Sequence, residues 1–124
     1  MTLHILAVDD SLTMREMLRQ TLTEAGFTVT LAEDGMAALA VIDARPRPAF
    51  DLILTDLNMP RLDGFGLIEA LRSGRALRLP ILILTTESAA TLKDRARAIG
   101  ATGWIGKPFD EAALVGTIRR VAAL

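Results

Sequence analysis

Apolar residues arrive in this chain in short bursts, and between the bursts they recur every three or four positions. The bursts run from Leu3 to Val8, Thr28 to Ala32, Leu52 to Thr55, Ile81 to Thr85 and Gly103 to Ile105. The first, third and fourth are nearly continuous in Leu, Ile and Val. That is the pattern of strands buried on both faces of a parallel sheet. The second is shorter and more polar and the fifth is brief, which predicts edge strands.

The intervening segments predict helices. After Ser11, a good N-cap, the residues Met14, Met17, Leu18, Thr21, Leu22 and Ala25 fall on one stripe, and Gly26 stops the helix. Gly35 to Ala44 is the second helix, followed by Arg45-Pro46-Arg47-Pro48 as an extended connector. Asp63-Gly64 opens the third, with Phe65, Ile68 and Leu71 on one face. Ser88 to Ile99 is the fourth, with a thin apolar stripe and a polar surface. Asp110 caps the fifth, where Leu114, Val115, Ile118, Val121 and Ala122 line up. Strict alternation of strand and helix predicts an α/β fold, a doubly wound five-stranded parallel sheet flanked by five helices. In such a fold the functional groups collect beyond the carboxyl ends of the central strands.

Those ends carry chemistry. Strand one ends in Asp9-Asp10, strand three in Asp56, strand four in Thr85-Thr86, and strand five runs into Lys107-Pro108. If the strand order is 2-1-3-4-5, three carboxylates converge with a hydroxyl and an ammonium beside them. Carboxylates this close repel one another, and a hard divalent cation relieves the repulsion. Mg2+ suits oxygen ligands in octahedral geometry and retains open positions for water or phosphoryl oxygens, with Mn2+ as a substitute. Asp10 and Asp56 are the candidate direct ligands, Asp9 binds directly or through water, and the backbone carbonyl of Asn58 is a further oxygen. With the cation in place, one carboxylate can act as a nucleophile toward phosphorus, and Lys107 and Thr85 can bind the phosphoryl oxygens.

Composition narrows the classes. The 124 residues suit one domain, read here as spanning 1–124 with no output domain attached. A net charge of -1 offers no basic field for nucleic acid. The chain has no cysteine, which excludes disulfides, thiolate metal sites and a cysteine nucleophile. No apolar run approaches the length of a membrane span, and nothing at the N-terminus reads as a signal peptide, so a cytoplasmic protein is expected.

Asp9-Asp10, Asp56, Thr85 and Lys107-Pro108, in this order at strand ends, resemble the receiver domain of two-component response regulators across the whole chain. The resemblance implies a flavodoxin-like sheet of order 2-1-3-4-5. It implies Asp56 as phosphoacceptor, Asp9 and Asp10 as the metal-binding pair, and Lys107 as the contact to the acyl phosphate, with a cis bond before Pro108. It implies Thr85 as a hydroxyl that swings onto the phosphate and Trp104 as the aromatic that moves with it. Asp9-Asp10-Ser11 followed by Thr13-Met14-Arg15, and Gly100 to Ile105 running into Lys107-Pro108-Phe109, are similar to single-domain chemotaxis regulators. Asn58 and Glu87 stand where the family tunes dephosphorylation, and neither is bulky and apolar. Thr86 and Gly106 depart from the commoner residues, with narrower access and a looser last strand as the implied effects.

The implied partners are a sensor histidine kinase and a target, with the flagellar motor switch first and a monomer expected. A phosphate sink or relay, or a cell-cycle or developmental receiver, is the alternative within the class. An aspartate-based phosphatase would need a titratable carboxylate two residues after its nucleophile, and that position is Asn58. A flavin-binding domain would need a glycine- and hydroxyl-rich phosphate loop where Asp9-Asp10 stand. The chain is therefore read as a phosphoacceptor rather than an enzyme. His4 is expected to face solvent, Met14 and Met17 to fill the core, and Arg45, Arg47, Arg72, Arg75 and Arg78 to be solvated charges. Asp34 and Asp63 read as turn or cap residues, and Arg119-Arg120 as complements to the last helix dipole.

Overall fold

The computed structural model describes residues 2–46 and 49–123. Along the chain lie β1 (His4–Val8), α1 (Leu12–Glu24), β2 (Thr28–Ala32), α2 (Gly35–Asp43), β3 (Leu52–Thr55), α3 (Gly64–Glu69), β4 (Ile81–Thr85), α4 (Ala90–Ala98), β5 (Gly103–Gly106) and α5 (Glu111–Ala122). A single π-helical stretch, Ala70–Gly74, continues α3. The strands form one parallel sheet in the order β2-β1-β3-β4-β5.

Alternation along each strand splits the core in two. Leu6, Val8, Ile53, Ile81 and Ile83 face α2, α3 and α4 through Ala38, Ile42, Phe65, Ile68, Leu71 and Ala96. Ile5, Ala7, Leu52, Leu54, Leu82 and Leu84 face α1 and α5 through Leu18, Leu22, Leu114 and Ile118. All of β3 and β4 is buried, as unbroken apolar runs require. Helix starts are set chemically. Ser11, Asp34, Asp63 and Asp110 each accept a backbone N–H of the first turn of their helix, an interaction worth about 1 kcal/mol.

Several expectations are corrected. α4 begins at Ala90 and has no side-chain cap, so Ser88 lies outside it. Met17 is about half exposed: it sits at the margin of the α1 stripe, where Leu18, Thr21 and Leu22 take the contact with the sheet. His4 is half-buried rather than solvent-facing. Its Nε2 lies 2.7 Å from Thr30 Oγ1, and its ring meets Phe50 edge-on at 4.7 Å, because β1 is flanked on both sides. Arg72 is half-buried and donates to the carbonyls of Leu77, Leu79 and Gly100, pinning the entries to β4 and β5. Arg75 forms a fork on Asp43, whereas Arg45 is exposed as expected, with its guanidinium over the Phe50 ring. Of the expected connector, Arg47 and Pro48 lie outside the described residues.

Candidate functional site

β1 and β3 are adjacent and in register through Val8 and Thr55, so the residues that follow them come together. Asp9, Asp10 and Asp56 each place a carboxylate oxygen within 4.8 Å of the others. Asp9 is buried and Asp10 exposed, which gives the cluster one wall in the protein and one toward solvent. β5 ends beside β4, and the Lys107 amide donates to the Thr85 carbonyl at 2.9 Å. That turn delivers the Lys107 ammonium to Asp9 Oδ2 at 2.7 Å and Asp56 Oδ2 at 3.1 Å. The Lys107–Pro108 peptide bond is cis.

The carboxylates are aimed by the backbone. Asp9 Oδ1 accepts the Ser11 N–H at 2.9 Å, and Asp56 Oδ1 accepts the Leu57 N–H at 2.7 Å. Arg15 donates to the Asp9 carbonyl at 2.8 Å, a contact that the stripe pattern of α1 did not flag. Gly64 lets α3 start close to the acidic strand end: a Cβ there would lie 2.6 Å from the Asp56 carbonyl oxygen. Burial disfavours the Lys107 ammonium, but hydrogen bonds from it to Asp9 and Asp56, with their charges, outweigh burial and raise its pKa above the ordinary lysine value.

Thr85 is buried, and its hydroxyl accepts the Glu87 N–H at 3.3 Å. Glu87 joins three segments. Its carboxylate accepts from Asn58 Nδ2 at 3.2 Å, and its carbonyl accepts from Trp104 Nε1 at 3.0 Å. Trp104 is half-buried, and Thr86 and Gly106 are exposed. A Cβ on Gly106 would meet nothing within 4 Å.

Donor chemistry and spacing fit a hard divalent cation: three carboxylates converge, with oxygens only. A cavity of about 370 Å³ lined by Arg72, Leu77, Arg78 and Gly100 opens at the other end of the sheet and contributes no carboxylate.

One ion pair beside the site was missed by the sequence reading. Arg61 donates through Nε and Nη2 to the two carboxylate oxygens of Asp34, at 2.7 and 2.9 Å. Asp34 is buried, and hydrogen bonding from Arg61 first, against the cost of burial, holds its carboxyl below the usual carboxylate range. A depressed carboxyl contributes stability that is present above its unfolded value, near 3.8, and is lost as pH falls through the lower folded value. Arg61→Ala removes the largest cause. The difference in melting temperature between wild type and Arg61→Ala is expected to be widest near pH 6 and to shrink below about pH 4, followed by thermal melts across that range. A constant difference would contradict the assignment.

Comparison with known proteins agrees with this geometry. The response regulator receiver domain model matches residues 5–119. The chain belongs to that family and is a receiver domain, the phosphoacceptor module of two-component response regulators. Response regulator MprA of Mycobacterium leprae is 41% identical over 117 residues, 94% of this chain and 50% of that protein. The chain spans about half the length of the curated relatives it matches. The chemotaxis protein CheY4 of Vibrio cholerae superposes with a TM-score of 0.89 at 42% identity, over 98% of this chain and 99% of that one. The receiver domain of sensor histidine kinase PA1611 of Pseudomonas aeruginosa, solved with magnesium coordinated in its active-site cleft, gives a TM-score of 0.86 at 28% identity over the full length of both chains. Among the described residues no helix is long and apolar enough to cross a membrane.

Proposed function

We propose that Asp56 accepts a phosphoryl group from the phosphohistidine of a sensor kinase, and that Asp9, Asp10, Asp56 and the backbone carbonyl of Asn58 hold Mg2+ for that transfer. The observation that carries the reading is the convergence of three carboxylates with the Lys107 ammonium bridging Asp9 and Asp56. Mg2+, when bound, neutralises charge on the phosphoryl oxygens. An Asp56 carboxylate oxygen forms the new bond to phosphorus while the bond from phosphorus to the imidazole nitrogen breaks. Lys107 then exchanges its hydrogen bond to Asp56 Oδ2 for one to a phosphoryl oxygen.

Transmission runs through the residues around Glu87. For Thr85 to reach the phosphate, its hydroxyl gives up the long bond from the Glu87 amide. Trp104 is tied to the carbonyl of that same residue, so a shift at Thr85 and Glu87 changes the environment of the indole. The phosphoryl group biases a two-state equilibrium, and a target reads the surface of α4, β5 and α5. The target we favour is the flagellar motor switch of chemotaxis, in a protein that acts in the cytoplasm as a monomer, supported by the end-to-end match to CheY4. A second reading, the receiver half of a longer regulator, is favoured by the half-length match to MprA.

The test is intact mass after incubation with acetyl phosphate and Mg2+, with a beryllium fluoride binding control for a short acyl-phosphate lifetime. Gain of one phosphoryl group, abolished by chelation, is expected. No gain, with beryllium fluoride also failing to bind, would end the phosphoacceptor reading.

A further inference from the structure

The loop that leaves the acidic cluster toward α3 carries a strained turn. Arg61 has φ 65°, one of two non-glycine residues with positive φ among those described. The Leu62 N–H donates to the Pro60 carbonyl at 2.7 Å, closing a three-residue γ-turn around Arg61. A γ-turn with a left-handed central residue is rare and strained, and an arginine there lacks the freedom of glycine. Such strain persists only where surrounding contacts over-determine it, and it concentrates at functional sites.

Arg61 grips Asp34 with both carboxylate oxygens engaged, and Asp34 is itself immobilised as the cap of α2, accepting the Ala37 N–H at 2.8 Å. Next to it, the Gly35 N–H donates to the Leu62 carbonyl at 3.1 Å. A Cβ on Gly35 would lie 2.6 Å from that oxygen, so the two backbones meet at a distance only glycine permits. At the far end of the loop, Gly64 N–H donates to Leu57 O at 2.8 Å. Asp34 and Gly35 follow β2, whose end is bonded back to the site: the Asp9 N–H donates to Ala32 O at 3.1 Å. The β2–α2 connection therefore braces both the acidic strand end and the loop from 57 to 63.

We propose that the Asp34–Arg61 fork is a clamp that holds the loop containing Asn58 in the arrangement that receives the divalent cation, with Arg61 as a positioning residue that never touches the ion. This rests on the metal reading given above. Without the clamp the loop keeps its backbone bonds, from Gly35 to Leu62 and from Gly64 to Leu57, and the Asn58 backbone is free to leave the carboxylates. Partners that orient metal ligands without touching the metal typically contribute roughly tenfold or more to affinity. Lysine cannot reproduce a fork on both carboxylate oxygens, so Arg61→Lys should lie between wild type and glycine.

Arg61→Gly separates the clamp from the turn, because glycine takes the positive φ without strain and the fold is kept. Two measurements decide. In metal-free protein, amide hydrogen exchange of residues 57–63 should be faster in Arg61→Gly than in wild type, with exchange in β1 and β3 unchanged. Mn2+ titration followed by electron paramagnetic resonance should show roughly tenfold weaker binding, with Arg61→Lys intermediate. Wild-type exchange and wild-type Mn2+ affinity in Arg61→Gly would overturn the clamp while leaving the metal site standing. Wild-type protein that fails to retain Mn2+ at all would sink the metal reading, and the inference with it.

Discussion

Asp56→Ala should take up no phosphoryl group from acetyl phosphate under conditions where the wild type gains one, and it should melt close to the wild-type temperature without metal. Chemistry and packing pull apart here. Asp56 supplies the only one of the three carboxylates that sits at the end of β3, with its Oδ2 on the Lys107 ammonium. Without it no oxygen remains at that point to attack phosphorus. The fold loses two hydrogen bonds, one from the Leu57 N–H and one from the Lys107 ammonium, and the first costs about 1 kcal/mol. In return one of three mutually repelling charges disappears, and Lys107 keeps Asp9 at 2.7 Å. The two effects oppose each other. Intact mass and thermal melting check both parts. Magnesium-dependent phosphoryl uptake by Asp56→Ala would move the acceptor to another carboxylate and overturn its assignment.

Lys107→Ala should be less stable in the presence of chelator by about 3 kcal/mol, the usual cost of stripping one partner from a buried ion pair. Asp9 would be left with 2% of its side chain exposed and the Ser11 N–H as the remaining donor to its carboxylate. Added Mg2+ should restore much of the loss, because a ligand that binds only the folded state stabilises it by mass action. The cation also binds without the competing ammonium. Phosphorylation of this variant should still proceed, but the phosphorylated form should show no gain in affinity for its target. Denaturant titrations with and without Mg2+, then target binding with and without beryllium fluoride, separate the two roles. Equal stability in chelator would mean the ammonium is not what balances the acidic cluster. A retained gain in target affinity would remove Lys107 from the switch.

How legible the molecule was depends on the reach of the signal. Three strands kept their expected bounds, Thr28–Ala32, Leu52–Thr55 and Ile81–Thr85, because burial on both faces or strict βα alternation leaves little freedom in where they lie. Ser11, Asp34, Asp63 and Asp110 were visible as caps, since a cap acts on a backbone N–H within three residues. Asp9, Asp10, Asp56 and Lys107 could be named as a cluster because each ends or follows a strand, and a parallel sheet brings such ends to one edge.

Long polar side chains were another matter. Arg61, Arg72 and Arg78 look alike in the sequence. Yet Arg61 grips a buried carboxylate, Arg72 ties together three carbonyls, and Arg78 stays exposed. Nothing local distinguishes them, because each partner lies on a connection whose position is known only after the sheet is assembled. The same holds for Glu87, which joins Asn58, beyond β3, to Trp104, within β5, and for His4 against Thr30 and Phe50. By itself, then, the sequence determined the layering, the carboxyl ends of the central strands and the acidic cluster, through periodicity and local capping. The tertiary structure alone decided which charges pair, which turn is strained and how the site is braced, because those energies depend on neighbours brought together by the fold.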